Sequence, residues 1–140
     1  MIDIGEKYYP PERFGVVWAQ LQPALESGQI RMIRSGIVEL RRRNDAWRQP
    51  VIAACSRHAA DESAAAVQGV FARLTAAIDG GTLTRKLSEI DLLVLACGEA
   101  AQLPVVTGDT RIHNAIRDGH CAVRPLWLWQ LFGELGWTFN

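Results

Sequence analysis

Three acidic residues follow predicted strands or open predicted helices, and their carboxylates could hold a divalent cation together. They are Glu39, Asp91 and Asp109. Clustered carboxylates raise one another's pKa unless a cation neutralises them, and oxygen ligands with room for water suit Mg²⁺ or Mn²⁺. A bound ion of this kind activates water and stabilises a phosphoryl oxygen, so the three acids point to hydrolysis of a phosphodiester.

Each acid also has a purely structural interpretation. Asp91 lies three residues after Ser88, as in a capping box, and Asp109 could cap the helix that follows it. Glu39 could form an ion pair with Arg43 one helical turn later. The residues alone therefore predict an acidic site on an α/β fold, and they leave the structural roles open.

The elements that must position these acids alternate along the chain. Apolar runs predict short strands at 29–33, 103–107 and 120–124, the last two buried on both faces. The spacing of apolar residues predicts helices over 10–28, 36–47, 50–60, 61–79, 88–102, 110–119 and 126–137. Such strand–helix units predict a parallel sheet covered by helices, and chemistry gathers at the carboxyl ends of its strands.

Composition limits the class of protein. The chain has 140 residues, 49% hydrophobic and 21% charged, so we expect one domain over residues 1–140 with a buried core. Basic and acidic residues both number 15, which excludes a protein whose whole surface binds phosphate. No apolar run reaches the ~18 residues of a membrane span, and the N-terminus has no apolar stretch typical of a secretory signal. Three widely spaced cysteines predict reduced thiols in a cytoplasmic protein.

A local excess of positive charge predicts contact with RNA. Residues 29–48 hold six arginines and two acids, a balance of +4 in a chain that is neutral overall. Arg41, Arg42 and Arg43 are consecutive there and are the candidates for binding an RNA backbone. The structural alternative is a solvated helix face, since three consecutive residues spread over ~200° of a helix.

The segment 87–129 resembles the second half of a PIN-domain nuclease. The shared pattern is an Asp that opens an apolar helix, a short strand, Thr-x-Asp, a helix, a glycine and another short strand. The matching residues here are Asp91, Thr107, Asp109 and Gly119. The stretch SGIVELRRR resembles the family's other acid-bearing helix, with Glu39 at the acidic position, and KYYPPERFGVVW resembles the start of a PIN subgroup.

This resemblance implies a three-layer α/β sandwich, with a short parallel sheet flanked by helices, and a metal-dependent endoribonuclease. Such nucleases are often the toxin of a Vap-type toxin–antitoxin pair, which implies RNA and an antitoxin as partners and Mg²⁺ or Mn²⁺ as cofactor. Glu39, Asp91 and Asp109 take the positions of three family acids, and Thr107 that of the hydroxyl residue supporting the last one. The apolar segment 126–137 suits a homodimer or a docked antitoxin peptide.

The start of the chain departs from the family's pattern. The family's first strand ends in Asp-x-Asn or Asp-x-Ser, whereas this chain begins MIDIGEK. Either Asp3 is the first acid, at the end of a very short strand, or that strand and its acid lie upstream of Met1. The second alternative would leave a catalytically degenerate PIN-like domain that binds a protein partner or RNA without cleavage.

Overall fold

The computed structural model describes residues 9–83 and 86–138. The chain divides into two compact units: the first is Met1–Ala60 with Phe132–Asn140, and the second is Asp61–Leu131. The described residues form helices and one short parallel sheet, so the fold is mixed α/β and mostly helical. The single domain expected over 1–140 stays a prediction.

The bounds of the elements are as follows. The helices are α1 Gly15–Glu26, α2 Arg34–Leu40, α3 Arg48–Ser56, α4 Ala65–Asp79, α5 Glu89–Ala101, α6 Thr110–Arg117 and α7 Leu128–Leu135. The strands are β1 Val105–Val106 and β2 Pro125–Leu126. They pair in parallel, with the first residue of β1 opposite the first residue of β2. No helix in the described ranges has the length and apolar character needed to cross a membrane.

In the first unit, α3 packs against both α1 and α2. Two partly buried tryptophans, Trp18 and Trp47, border this core with their ring centroids 5.3 Å apart. The buried members of the core are Leu21, Leu25, Ile37, Leu40, Val51, Ile52, Ala54 and Cys55. These side chains recur at helical spacing, in agreement with the helices predicted over 10–28 and 50–60.

In the second unit, α5 packs against α4 on one side and contacts β1. The buried core residues of this unit are Leu74, Leu83, Leu92, Leu95, Ile112, Ala115 and Cys121. Gly98 lets α5 and β1 approach closely, because a Cβ there would lie 2.5 Å from Cγ2 of Val105. The close approach fixes β1, and therefore the residues at its carboxyl end, relative to α5.

Two sequence predictions in the first unit are wrong. The segment 29–33 is not a strand: among the described residues it forms one isolated bridge, from Ile33 to Ala60, and α2 begins at the next residue. The helix predicted over 36–47 ends at Leu40, because the backbone tightens into a turn in which the N–H of Arg41 also donates to the carbonyl of Val38 at 3.1 Å.

The predicted strands of the second unit are too long or displaced. Leu103 is 50% exposed, and its backbone N–H still donates to the carbonyl of Gly98 in the last turn of α5. Only two residues of the predicted strand 103–107 therefore form β1. The segment 120–124 is not a strand, because β1 pairs with the two residues that follow it. The helix predicted over 126–137 is shorter in the structure, where α7 spans Leu128–Leu135, and Trp129 within it is 60% exposed.

Candidate acidic site

Asp109 lies at the carboxyl end of β1 and caps the N-terminus of α6. Its backbone N–H donates to the hydroxyl of Thr107 at 3.1 Å. Its Oδ1 accepts from the backbone N–H of Arg111 at 2.8 Å, which satisfies one of the free donors of the first helical turn. The capping role of Asp109 is therefore confirmed, and Thr107 supports its position.

The guanidinium of Arg111 binds both oxygens of the Asp109 carboxylate. Nε lies 3.0 Å from Oδ1 and 3.1 Å from Oδ2, and Nη2 lies 2.6 Å from Oδ2. The remaining nitrogen, Nη1, donates to the carbonyl of Lys86 at 3.0 Å. These bonds lower the pKa of Asp109, and the Asp109 carboxylate raises the pKa of Arg111.

Asp91 occupies the first turn of α5, where it forms a capping box with Ser88. The N–H of Asp91 donates to Oγ of Ser88 at 3.2 Å, and the N–H of Ser88 donates to Oδ2 of Asp91 at 2.8 Å. The box predicted from the sequence is thus confirmed. The bonds to Asp109 are the main cause of the raised pKa of Arg111, and the carboxylate of Asp91 adds a smaller contribution.

A stacked histidine–tryptophan pair comes after the carboxyl ends of β1 and β2 in the chain. His113, one helical turn after Asp109, lies with its ring 3.7 Å from that of Trp127 and only 11° from parallel. Its Nε2 is 3.0 Å from the carbonyl oxygen of Thr107. Trp127 follows β2 directly. Arg111, His113 and Trp127 were not predicted as site residues, and the position of Trp127 gave no signal because the strand before it was predicted at 120–124.

Glu39 and the three consecutive arginines belong to the first unit. Glu39 is half-buried near the end of α2, and its carbonyl accepts from the N–H of Arg42 at 3.2 Å. Arg41, Arg42 and Arg43 are all exposed. They lie in the turn after α2 and not along a helix, so the spread of ~200° expected for a helix does not apply.

Arg48, counted with the basic segment, has a structural role. Its side chain is buried, with Nε 2.9 Å from Oδ2 of Asp45 and Nη1 donating to the carbonyl of Leu40 at 3.4 Å. Arg43 also reaches Asp45, at 3.7 Å. Of these two arginines, Arg43 is exposed to solvent and Arg48 is not.

The donor set of Asp91 and Asp109 fits a hard divalent cation in kind, because carboxylate oxygens are what Mg²⁺ and Mn²⁺ prefer. The Arg111 guanidinium is a cationic group already bound to Asp109. Within residues 9–83 and 86–138, no three His, Cys, Asp or Glu side chains are grouped as metal ligands. Asp3 lies outside the described residues, and the convergence of Glu39 with Asp91 and Asp109 stays a prediction.

One family model matches this chain, over residues 1–122, and its description is "Domain of unknown function (DUF4411)". The matched part contains both acids of the candidate site and Arg111, and it ends before β2. Comparisons with curated proteins and with solved structures gave no match. Because the family model covers most of the sequence, the chain belongs to the DUF4411 family.

Proposed function

We propose that this protein is a PIN-like endoribonuclease that uses Mg²⁺ or Mn²⁺ held by Asp91 and Asp109. The observation that carries the proposal is that the Asp109 carboxylate, at the carboxyl end of β1, binds a cationic group, the Arg111 guanidinium, with 2.6 Å between Oδ2 and Nη2. Asp91, in the first turn of α5, is the second acid of the proposed site. Glu39 and Asp3 are the further acids that the PIN resemblance assigns to the site. The three-layer sandwich is part of the same proposal.

The chain's own residues have distinct roles in this proposal. A bound divalent ion supplies an activated water and stabilises charge on a phosphoryl oxygen. Asp91 and Asp109 bind the ion, and the backbone N–H groups that they cap fix the direction of both carboxylates. Thr107 holds the backbone of Asp109 in place through its hydroxyl.

Single-stranded RNA is the proposed substrate. Arg41, Arg42 and Arg43 form an exposed turn with three positive charges, which suits a phosphate backbone. A role as the toxin of a cytoplasmic toxin–antitoxin pair belongs to the same proposal. The exposed ring of Trp129 supports a protein partner, either an antitoxin or a second copy of the chain.

The test is cleavage of an end-labelled single-stranded RNA with Mg²⁺ or Mn²⁺, and with EDTA. Asp91→Asn and Asp109→Asn keep a capping side chain but lose a charge, so we expect both to abolish cleavage without unfolding the protein. Asp118→Asn, at the other end of α6, is the matched control and should cleave as the wild type does. Wild-type rates in both site variants, or cleavage that EDTA does not stop, would contradict the proposal.

A second candidate function is binding of RNA or a protein partner without cleavage. It is favoured by the contacts of Asp109, whose two oxygens are both occupied by Arg111. For RNA binding, Arg41→Gln, Arg42→Gln and Arg43→Gln should each weaken affinity and make the salt dependence shallower, by about 0.7 in log–log slope per lost phosphate contact. Binding unchanged by Asp109→Asn, together with no cleavage by the wild type, would favour this second function over the first.

A further inference from the structure

Three N–H groups of Arg111 bind the Asp109 carboxylate. A carboxylate has about four lone-pair positions, two on each oxygen. Oδ1 accepts from the backbone N–H of Arg111 at 2.8 Å. The single N–H of Nε is shared between Oδ1 and Oδ2, at 3.0 and 3.1 Å, and Oδ2 also accepts from Nη2 at 2.6 Å. A cation that binds both oxygens of Asp109 must therefore displace part of Arg111.

The two parts of Arg111 differ in how easily they can leave. Its backbone N–H belongs to the first turn of α6 and stays in place while the helix is intact. Its guanidinium is on a side chain that is 56% exposed. Exposed side chains change rotamer within picoseconds to nanoseconds, so water can replace the guanidinium contacts without any change in the fold. The guanidinium is the part that a cation can displace.

We infer that Arg111 is a built-in competitor of the divalent cation, and that its guanidinium must leave Asp109 before the cation binds. This inference rests on the proposed metal site at Asp91 and Asp109, and it adds a means of regulating that site. In the metal-free protein, Arg111 neutralises Asp109. The apparent affinity for the cation is then reduced in proportion to the fraction of molecules in which Asp109 is free of the guanidinium.

The test measures Mn²⁺ binding by the full chain through the Mn²⁺-dependent shift in melting temperature and by calorimetric titration. Arg111→Met removes the competitor. If Arg111 holds Asp109 in about nine of ten molecules, this variant should bind Mn²⁺ about tenfold more tightly than the wild type. Arg111→Lys keeps the charge but lacks the two-pronged geometry of the guanidinium, so its affinity should lie between the two.

Arg117→Met is the matched control, because it removes one positive charge from the same helix. The Arg117 side chain is 70% exposed and pairs with Asp118 at 3.6 Å, not with Asp109. Its Mn²⁺ affinity should stay close to that of the wild type. A gain in Arg117→Met equal to that in Arg111→Met would reduce the effect to net charge and overturn the inference.

Two other outcomes separate this inference from the proposed function. If the wild type and Arg111→Met bind Mn²⁺ with equal affinity and Asp109→Asn does not bind it, the metal site is supported and the competition is refuted. No Mn²⁺ response in any of these proteins, or a response that Asp109→Asn leaves intact, would refute the metal site and the competition with it. A selective gain in Arg111→Met that Asp109→Asn abolishes in the double variant would support both.

Discussion

The carboxylate of Glu99 ties α4, α5 and the chain after α6 together, and replacing it with glutamine should destabilise the second unit. Its Oε2 lies 2.7 Å from Nη2 of Arg73 and accepts from the N–H of Ala122 at 2.9 Å. The thiol of Cys121 donates to the same oxygen at 3.0 Å. The Arg73 bond is the main reason that the pKa of Glu99 is lowered to about 2.

The expected size of the loss follows from these contacts and from exposure. A pKa lowered from 4.5 to about 2 would correspond to about 3 kcal/mol at neutral pH if no screening occurred. The Arg73 side chain is 55% exposed, however, and exposed ion pairs contribute only about 0.2–1 kcal/mol. The bond from the thiol of the buried Cys121 to this charged acceptor is better shielded. We therefore expect Glu99→Gln to lower the free energy of unfolding by about 1–2 kcal/mol.

The pH dependence of this effect has a defined sign. The pKa of Glu99 in the folded protein lies below its ordinary value of 4.5, so its stabilisation is complete above that pH. It is lost as the pH falls from 4.5 towards 2, where the carboxylate becomes protonated in the folded protein as well. The difference in stability between wild type and Glu99→Gln should be constant near neutrality and should shrink in acid.

Urea unfolding at pH 7 and at pH 3 measures both features. Glu89→Gln, an exposed acid in the first turn of the same helix, is the matched control for loss of a negative charge from α5. We expect it to cost about 0.3–1 kcal/mol through the helix dipole alone. A loss below about 0.5 kcal/mol for Glu99→Gln at pH 7, the range of an ordinary surface substitution, would refute the reasoning. A difference in unfolding free energy between wild type and Glu99→Gln that is larger at pH 3 than at pH 7 would also refute it.

Three further predictions concern packing and thiol chemistry. Gly98→Ala should lower stability by about 1–3 kcal/mol, measured by thermal melts, because the new Cβ would overlap Val105. Trp129→Ala should change stability by less than about 0.5 kcal/mol, whereas Phe132→Ala should cost about 3–5 kcal/mol, since the first side chain is exposed and the second buried. Burial, aided by the neighbouring carboxylate, raises the pKa of the Cys121 thiol to about 12, so a thiol reagent at pH 8 should label it only in urea.

The helices could be predicted from the sequence because their signals are local. The apolar spacing that predicts a helix over 61–79 corresponds to α4, and Ser88 with Asp91 gives the start of α5 correctly. A capping box needs only four consecutive residues, and the bonds that close it form within that stretch. Such elements need no knowledge of distant partners.

The strands could not be placed in the same way, because pairing decides which residues of an apolar run become a strand. In the run 120–124, Cys121 is buried in the core, where its Sγ lies 3.6 Å from the carbonyl oxygen of Leu95. The backbone pairs with β1 only after Arg124, whose carbonyl accepts from Val105 at 3.0 Å. Hydrophobicity in this run therefore indicates burial without indicating a strand.

Arg111 was missed because its ion pair is not one that helical spacing predicts. Charges four residues apart on a helix are the usual local pairs. Asp109 and Arg111 are two residues apart, and they meet because Asp109 is extended at the N-cap, with φ −90° and ψ 112°, while Arg111 is in the first turn. The pair depends on backbone geometry at a helix boundary, which a spacing rule for helix interiors does not cover.

Helix capping and cation binding are compatible roles for the two acids, although the sequence presents them as alternatives. Each cap bond from a backbone N–H uses one acceptor position: Oδ2 of Asp91 accepts from Ser88, and Oδ1 of Asp109 accepts from the amide of Arg111. A carboxylate with about four acceptor positions keeps the others for a cation. The cap bond also holds the carboxylate in one orientation, which lowers the entropic cost of binding an ion. In the proposed function, the capping contacts keep both carboxylates ordered, and at Asp109 a divalent ion would take the positions that the Arg111 guanidinium holds.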